Sequence, residues 1–322
     1  MSVSNTKTIL LKYFPGIKFG ISLKDLTTFR IGGLAKYFLE AKTSKEILEV
    51  IKLAKKIKLS FFIIGGGSNV LFSDKGFNGL VIKISNQDLK IQRNSVKSGA
   101  GVKLSKLNTE LVRNSLSGLE WSVGIPGTAG GAVWANAGTF GQYMSDSVKA
   151  VEVLDTKAFK IKRLNPKQCQ FSYKESIFKK NPNLIILCAD LVLEKGDARK
   201  MSSDIAEMQN KRKTGQPLDY PSAGCVFKNI IRPIKNKKLI SLYPELAVFN
   251  QRKMIPAGYL IEKSGLKGKR IGQAQISEKH ANFIINLGKA KAKDVLQLIK
   301  LAKKEVKKRF KIDMEEEIKI VN

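Results

Sequence analysis

The chain has 322 residues, a length that favours two or three domains because single hydrophobic cores stop growing near about 250 to 300 residues. Its hydrophobic content of 43% is typical of a folded globular protein. No segment approaches the roughly 18 consecutive apolar residues of a membrane helix, and the N-terminus has no signal-peptide pattern, so we expect a cytoplasmic protein without a membrane partner. Three cysteines without a CxxC pair and a single histidine argue against disulfides and a zinc site.

The net charge of +31 raises the question of nucleic-acid binding. Of the 58 basic residues only 10 are arginine, the side chain that phosphate and base contacts favour. The lysines are spread over nearly every segment and fill the polar faces of predicted amphipathic helices, as in IKLAKKIKL and LAKKEVKKRF. We interpret the charge as a solvated surface and expect no nucleic-acid partner, although a basic nucleic-acid-binding protein remains a distant alternative.

In chain order, helices and strands alternate through the first third of the sequence. A capping box over 43–46 predicts a helix with one apolar face, formed by Ile47, Ile51, Ala54 and Ile57. FFII and GLVIKI predict strands, and Leu104, Leu107 and Leu111 predict a helix that ends at Gly118. This pattern is an α/β alternation.

The second part of the chain begins with a glycine-rich, nearly uncharged stretch over 118–141, which is a candidate for ligand binding. VKAVEVLD and LIILCADLVLEKG predict strands, and a helix over about 197–213 leads into the turn-rich linker TGQPLDYPSAG. A short helix is predicted from Pro256 to Gly265. The last helix carries Val295, Leu298, Ala302 and Val306 on one face, and EEIKIV predicts a terminal strand.

Two glycine motifs suggest the chemistry of a ligand. GGGSN at 65–69 follows a predicted strand and offers unhindered N–H groups and a hydroxyl, which suit a pyrophosphate. Alone, this motif could equally be a tight turn without a ligand. The second motif, GIPGTAGGAVWANAG, is too long and too poor in polar residues for a simple surface turn, and its glycines permit close approach to a large flat ligand. The absence of GxGxxG before a helix argues against a Rossmann site.

Eight motifs occur in an order that resembles the UDP-N-acetylenolpyruvoylglucosamine reductase family, in its shorter type II form. They are TTFRIGG, GGGSNVL, GIPGTAGGAVWANAG, FSYKESIF, SAGCVFKN, AGYLIEKSGLKG, ISEKHANFIIN and EEEIKI. The resemblance covers the chain from about residue 20 to the end. It leaves open a related FAD-dependent oxidase of the same fold with another substrate, although SAGCVFKN and HANF argue against that alternative.

The resemblance implies an α+β protein. We expect an FAD-binding fold of the vanillyl-alcohol-oxidase (PCMH) type in two subdomains, followed by a C-terminal α+β substrate domain. The expected bounds are 1–84 for the first FAD-binding subdomain, 85–200 for the second and 201–322 for the substrate domain. A last strand over 312–322 could return to the first subdomain.

The resemblance also implies a reaction in two halves. NADPH reduces FAD, and the flavin N5 then delivers hydride to the methylene carbon of UDP-N-acetylglucosamine enolpyruvate, which yields UDP-N-acetylmuramate for peptidoglycan synthesis. The negative charge left on the neighbouring carbon and its carboxylate requires a stabiliser and an acid. The family positions assign Cys225 as proton donor, Glu317 as the carboxylate near the reacting centre and Lys174 as the cationic stabiliser. No metal and no obligate protein partner are implied.

Two of these three residues depart from the usual family pattern. Other members place serine at the position of Cys225, and the family usually has arginine where this chain has Lys174, so the charge is kept but the guanidinium fork is lost. The Cys225 thiol must stay protonated until hydride transfer, so we expect its pocket not to depress its pKa. Cys169 and Cys188 match no motif and are interpreted as buried residues that pack in the core without a chemical role.

The acidic run at 315–317 does not by itself single out Glu317. In an alternating strand Glu315 and Glu317 share one face, and a solvated charge is the ordinary interpretation of such a run. Only the resemblance distinguishes Glu317 from its neighbours.

The resemblance further assigns residues to the cofactor and the substrate. Around FAD we expect Arg30, Ile31, Gly32, Gly33, Gly65, Gly66, Gly67, Ser68, Asn69, Val70, Leu71, Gly124, Ile125, Pro126, Gly127, Thr128, Gly130, Gly131, Ala132, Asn136, Ala137 and Gly138. Around the substrate we expect Tyr173, Lys213, Gln216, Lys228, Asn229, His280 and Asn282. For His280 a purely structural role is an equal alternative.

Overall fold

The computed structural model describes residues 3–322, with side chains from residue 5 onward. Its helices are α1 (Val3–Tyr13), α2 (Ser44–Lys56), α3 (Leu104–Arg113), α4 (Ala129–Ala135), α5 (Pro166–Cys169), α6 (Ile177–Lys180), α7 (Ala198–Gly215), α8 (Lys237–Leu242), α9 (Glu245–Gln251), α10 (Ala257–Lys263) and α11 (Ala292–Phe310).

The strands are distributed over the whole chain. They are β1 (Lys18–Ser22), β2 (Leu34–Ala41), β3 (Phe61–Ile64), β4 (Val70–Phe72), β5 (Phe77–Ile84), β6 (Leu89–Gln92), β7 (Ser95–Gly99), β8 (Leu116–Ser117), β9 (Gly138–Thr139), β10 (Gln142–Tyr143), β11 (Val148–Asp155), β12 (Lys160–Leu164), β13 (Leu184–Val192), β14 (Glu194–Lys195), β15 (Ser222–Cys225), β16 (Arg270–Ile271), β17 (Ala274–Ile276), β18 (Phe283–Asn286) and β19 (Lys319–Val321).

Local signals fix the start of α2. The Thr43 hydroxyl accepts a hydrogen bond of 3.1 Å from the Glu46 N–H, and the Glu46 carboxylate accepts one of 3.3 Å from the Thr43 N–H, which completes the predicted capping box. The predicted end of the next helix at Gly118 is wrong. α3 ends at Arg113, because Ser115 adopts a left-handed conformation with φ of 52° before the chain enters β8.

Contacts divide the chain into two compact units. The first unit comprises Met1–Ile21, Leu34–Gly67 and Phe77–Arg212. It holds a four-stranded sheet of order β1-β2-β5-β3, with β5 parallel to β2 and β3, and a five-stranded antiparallel sheet of order β12-β11-β13-β7-β6. One apolar core runs through this unit and includes Ile47, Leu80, Trp121 and Leu187.

The second unit comprises Ser22–Gly33, Ser68–Gly76 and Lys213–Asn322. An antiparallel sheet of order β15-β18-β17-β16 shares a core with α10 and α11, to which Leu260, Ile284, Leu298 and Val306 contribute. The predicted apolar face of α11 is confirmed, since Val295, Leu298, Ala302 and Val306 are all buried. The three-part division at 84 and 200 stays a prediction. Within residues 3–322, every helix is too short or too polar to cross a bilayer.

The chain end forms less strand than predicted. β19 covers only Lys319–Val321 and pairs in parallel with β4. Upstream, α11 ends at Phe310, Lys311 turns into the left-handed region with φ of 59°, and the segment 311–318 is irregular. Within this segment Glu316 forms an isolated antiparallel bridge with Phe227, Glu315 is exposed, and Glu317 is half-buried. That Glu315 and Glu317 share one face stays a prediction.

Candidate active site

Cys225 lies at the end of β15 in the second unit. Strand β15 pairs antiparallel with β18, where Cys225 stands opposite Phe283. The register shifts between Ser222 and Cys225, and Gly224 takes a φ of 75° within this irregularity. A bulge of this kind re-aims the side chain that follows it. The Cys225 side chain is half-buried, and none of the three cysteines forms a disulfide.

Glu317 lies on a segment that pairs with the chain just after Cys225. The Glu317 N–H donates a hydrogen bond of 2.7 Å to the Val226 carbonyl, and the Lys228 N–H donates one of 2.9 Å to the Glu315 carbonyl. Between these bonds, Phe227 and Glu316 form an antiparallel bridge. The predicted proton donor and the predicted carboxylate therefore belong to two adjacent segments of one short ribbon.

The segment 68–71, predicted to bind FAD, contacts the same region. The Asn69 amide donates a hydrogen bond of 3.2 Å to the Glu317 carbonyl, and the Lys319 N–H donates one of 2.9 Å to the Asn69 carbonyl. These contacts join residues about 250 positions apart in the chain. The second unit thus brings part of the predicted cofactor set next to Glu317.

Asn282 fixes the backbone of Phe227 from the other side. Its side-chain carbonyl accepts a bond of 2.9 Å from the Phe227 N–H, and its amide donates one of 2.8 Å to the Phe227 carbonyl. Asn282 is 2% exposed and Phe227 is 1% exposed, so these bonds lie in the interior. Buried backbone groups need such partners, which gives Asn282 a supporting role in the site.

His280 is half-buried beside Asn282. Its Nδ1 accepts a hydrogen bond of 3.2 Å from the Asn282 N–H, and its ring meets Phe283 edge-on at 4.9 Å between centroids. Burial lowers the pKa of His280, with a smaller lowering from Lys267, while its own backbone hydrogen bond and Glu262 oppose the shift. A neutral imidazole that accepts through Nδ1 fits this environment.

The other predicted substrate residues of the second unit differ in exposure. The buried Lys228 ammonium lies 2.5 Å from a Glu315 carboxylate oxygen. The half-buried Asn229 accepts a bond of 3.0 Å from the Ala257 N–H. Lys213 is exposed and Gln216 is half-buried. Lys228 and Asn229 lie near Cys225 because they follow it closely in the chain.

Lys174 lies in the first unit on a tight turn. Ser172 and Glu175 exchange two backbone hydrogen bonds, and Lys174, between them, has a φ of 55°. A non-glycine residue in this region costs about 1–3 kcal/mol, and such strain concentrates at functional positions. The Lys174 ammonium donates a bond of 3.1 Å to the Gly138 carbonyl, and the half-buried Tyr173 ring meets Tyr143 edge-on.

A neighbouring lysine, Lys179, supports this turn. Its ammonium donates a hydrogen bond of 2.6 Å to the Lys174 carbonyl and lies 5.1 Å from the centre of the Trp134 ring. It also lies 3.8 Å from a Glu175 carboxylate oxygen. Sequence reasoning missed Lys179, and its position five residues after Lys174 carries no motif that could have revealed it.

A cavity of about 920 Å³ opens in the first unit beside the two glycine motifs. From the predicted cofactor set it is lined by Gly65, Gly66, Gly124, Ile125, Pro126, Gly127 and Thr128. Residues that the sequence did not indicate also line it: Glu40, Lys42, Lys83, Ile84, Ser85, Gln87, Gly101, Lys103 and Ser105. The structure therefore brings the two motifs together on one wall.

Close packing of the two motifs requires glycine. A Cβ on Gly66 would lie 2.7 Å from the Gly127 Cα, and a Cβ on Gly65 would lie 2.6 Å from the Thr128 hydroxyl oxygen. The cavity size is within the range of cofactor sites, and three lining lysines against one glutamate give it a positive charge that suits a diphosphate. These residues fit FAD.

The remaining predicted cofactor residues lie in both units. The glycine-rich stretch continues in the first unit through α4, whose N-cap Thr128 accepts a hydrogen bond from the Gly131 N–H, and reaches Asn136 at φ of 41°. In the second unit, the exposed Arg30 has a φ of 53°, and the Gly33 N–H donates a bond of 3.0 Å to the Ser73 carbonyl.

Sequence reasoning also missed Arg212. This residue is 7% exposed, and its guanidinium donates a hydrogen bond of 2.9 Å to the Trp121 carbonyl in the first unit. A Cβ on Gly124, at φ of 76°, would lie 3.0 Å from the Arg212 Cδ. Arginine is seldom so buried, and Arg212 stands in the polar run NKRKTG, which gives no sign of its burial.

Comparison with known proteins gives the family. Residues 216–321 match the UDP-N-acetylenolpyruvoylglucosamine reductase C-terminal domain, and residues 35–162 match the FAD binding domain. A reductase of that name from Alkaliphilus oremlandii is 40% identical over 301 residues, with 93% of this chain and 91% of the relative covered. The chain belongs to the UDP-N-acetylenolpyruvoylglucosamine reductase family.

Further members of this reductase family agree with that assignment. The relative from Caldicellulosiruptor bescii is 41% identical over 302 residues, with 93% of this chain and 88% of the relative covered. The crystal structure of the reductase from Thermus caldophilus has a TM-score of 0.74 and 34% identity, with 94% of this chain and 98% of that chain covered. The predicted α+β architecture, an FAD-binding fold followed by the reductase C-terminal domain, is confirmed.

Proposed function

We propose that this chain reduces UDP-N-acetylglucosamine enolpyruvate to UDP-N-acetylmuramate in peptidoglycan precursor synthesis, with FAD as cofactor and NADPH as electron donor. The observation that carries the proposal is the hydrogen bond from the Glu317 N–H to the Val226 carbonyl. It joins the segments of Cys225 and Glu317, to which we assign the roles of proton donor and neighbouring carboxylate. Membership of the reductase family supports the choice of substrate.

FAD, when bound, would supply hydride to the methylene carbon of the enolpyruvyl group. Gly65, Gly66 and Gly127 would hold it through close backbone approach, and the cavity lysines Lys42 and Lys103 would offset the charge of its diphosphate. We propose that the other residues assigned by the family motifs, from Arg30 to Gly33, Gly67 to Leu71 and Gly124 to Gly138, complete the cofactor contacts.

Cys225 supplies the proton that the reaction requires. Once a hydride reaches the methylene carbon, the electron pair of the double bond is left on the neighbouring carbon and its carboxylate. The S–H bond of Cys225 breaks, the proton forms the new C–H bond, and the thiolate is later reprotonated from water. Glu317 is the carboxylate beside the reacting centre.

Lys174 stabilises the negative charge that develops on the substrate carboxylate. Its turn is held by backbone bonds between Ser172 and Glu175 and by the Lys179 ammonium, so the position of the side chain is defined before the substrate binds. An ammonium supplies a point charge in place of the bidentate guanidinium of most family members.

The remaining residues bind the substrate or support the site. Lys213, Gln216, Asn229 and Tyr173 are proposed to meet the sugar nucleotide or its carboxylate. Lys228, His280 and Asn282 shape the site through the protein contacts described above. The reaction needs only small molecules, so no obligate protein partner is proposed. A cytoplasmic location is proposed because NADPH and nucleotide sugars are used there.

A two-step flavin titration tests this function. The purified protein is expected to be yellow, to bleach on addition of NADPH without oxygen, and to recover its colour on addition of UDP-N-acetylglucosamine enolpyruvate. Failure of the last step would favour a flavin oxidase with another substrate. A colourless protein that does not take up FAD would count against both enzymes.

A further inference from the structure

The ribbon that carries Cys225 and Glu317 is closed at one end by an ion pair. The Lys228 ammonium lies 2.5 Å from a Glu315 carboxylate oxygen, and the backbones of the same two residues share a hydrogen bond of 2.9 Å. Lys228 follows Cys225 by three residues, and Glu315 precedes Glu317 by two. The ion pair therefore bridges the same two segments that carry the reacting groups.

We propose that Glu315 is a positioning residue, which acts through Lys228 to fix the register between the Cys225 segment and the Glu317 segment. This inference rests on the proposed function, since it concerns the placement of the proton donor and the carboxylate of that reaction. It gives Lys228 a different task from direct contact with the anionic groups of the substrate.

Burial of the two side chains favours positioning over anion binding. The Lys228 side chain is 10% exposed, whereas the Glu315 side chain is 71% exposed. An ammonium withdrawn from water depends on its counter-charge, and removal of one partner of such a pair leaves an uncompensated charge. The Lys228 ammonium thus has a counter-charge on the opposite segment in Glu315, and the exposed Glu315 can be changed without opening the core.

The backbone pairing that joins the two segments of the ribbon is short. The segment 311–318 is irregular, and the backbone bonds that join it to 226–228 are the two on either side of the Phe227–Glu316 bridge. A two-stranded pairing of this size is marginal by itself. A one-residue slip of register would turn the Glu317 side chain to the other face of the ribbon, and an ion pair between the two segments opposes such a slip.

The next residue along the same segment offers a matched control. The Glu316 carboxylate pairs with Lys303 of α11 at 2.7 Å and is partly buried. Glu316→Gln therefore removes a carboxylate and an ion pair from this segment, but not the connection to the Cys225 segment. Any general effect of lost charge in this acidic run should appear in both variants.

The test compares Glu315→Gln, Glu315→Asp and Glu316→Gln in the full-length, FAD-loaded enzyme. Flavin reoxidation by UDP-N-acetylglucosamine enolpyruvate is followed by stopped-flow absorbance at increasing substrate concentrations. For Glu315→Gln we expect a reoxidation rate at saturation lowered by about tenfold or more, since a misplacement of about 1 Å can cost about a hundredfold. The substrate concentration for half-maximal rate should change by less than about twofold.

The other variants and the first half-reaction complete the expected pattern. Glu315→Asp keeps the charge, and the flexible lysine stem can follow a shorter partner, so most of the rate should return. Glu316→Gln should match the unmodified enzyme, and reduction by NADPH should be unchanged in all three variants.

Three results would overturn the inference. One is an unchanged rate at saturation in Glu315→Gln, and another is an equal loss in Glu316→Gln. The third is an effect confined to the half-saturating concentration, which would mark Lys228 as a substrate contact. If the unmodified enzyme itself is not reoxidised by this substrate, the proposed function fails, and the positioning role is rejected with it.

Discussion

The backbone N–H of Glu317 donates a hydrogen bond of 2.7 Å to the carbonyl of Val226, the residue after Cys225. The Glu317 carbonyl also accepts a hydrogen bond from the Asn69 amide. These two bonds join the segment around Glu317 to the Cys225 segment and to the predicted cofactor loop. The arrangement places a thiol, a carboxylate and part of the predicted cofactor loop in one neighbourhood of the second unit.

Asn282→Ala is expected to destabilise the second unit by about 1–3 kcal/mol, because the N–H and carbonyl of Phe227 would lose their buried partners. Urea unfolding followed by circular dichroism measures the change. Asn78→Ala is the control, since Asn78 is exposed in β5 and should change the free energy of unfolding by less than about 0.5 kcal/mol. Equal stability of the two variants would contradict the supporting role of Asn282.

Gly66→Ala is expected to weaken FAD binding by roughly tenfold or more, because the new Cβ would lie 2.7 Å from the Gly127 Cα and force the two glycine motifs apart. Fluorescence titration of the flavin-free protein with FAD gives the dissociation constant. Gly16→Ala serves as the control, since no atom lies within 4 Å of a Cβ at that position. An unchanged dissociation constant in Gly66→Ala would show that the close contact of Gly66 with Gly127 does not belong to the FAD site.

The three cysteines are expected to differ in reactivity. Cys169 and Cys188 are buried, and burial raises the pKa of Cys169 to about 11 and, as the largest cause, that of Cys188 to about 12. At pH 8 neither forms much thiolate, which is the reactive species. Iodoacetamide should therefore label the half-buried Cys225 first in the native protein, and all three after denaturation. Mass spectrometry of peptides checks this order, and early labelling of Cys188 would contradict it.

Lys174→Ala is expected to slow flavin reoxidation by about 100- to 1000-fold, the usual effect of losing one group that stabilises transition-state charge. Lys174→Arg should keep at least part of the rate, because the charge is retained. Flavin reduction by NADPH should be unaffected in both variants. Stopped-flow absorbance separates the two half-reactions, and an unchanged reoxidation rate in Lys174→Ala would exclude Lys174 as the stabiliser.

Local signals allowed much of the fold to be predicted. The capping box of α2 lies within four consecutive residues, and the buried face of α11 follows from a spacing of three to four residues. The two glycine motifs indicated a large ligand before any family was considered, and the structure places both on one cavity wall.

The contacts that build the candidate site carry no such local pattern. The bond from Asn69 to Glu317 joins positions 248 residues apart, and the ion pair of Lys228 and Glu315 spans 87 residues. The strand predicted over EEIKIV is reduced to Lys319–Val321, and upstream of it Glu316 forms an isolated bridge with Phe227, a residue 89 positions earlier in the chain. The left-handed conformation of Lys174, with a φ of 55°, could not be predicted either, because glycine is the usual sign of this conformation and position 174 is a lysine.

The proton-donor role of Cys225 is tested most directly by the two half-reactions of Cys225→Ala and Cys225→Ser. Both variants should be reduced by NADPH at the rate of the unmodified enzyme. On addition of UDP-N-acetylglucosamine enolpyruvate, Cys225→Ala should stay reduced or reoxidise at least about 100-fold more slowly, whereas Cys225→Ser, which restores a proton donor, should reoxidise faster than Cys225→Ala. Rapid reoxidation of Cys225→Ala would contradict the assignment of Cys225 as the proton donor.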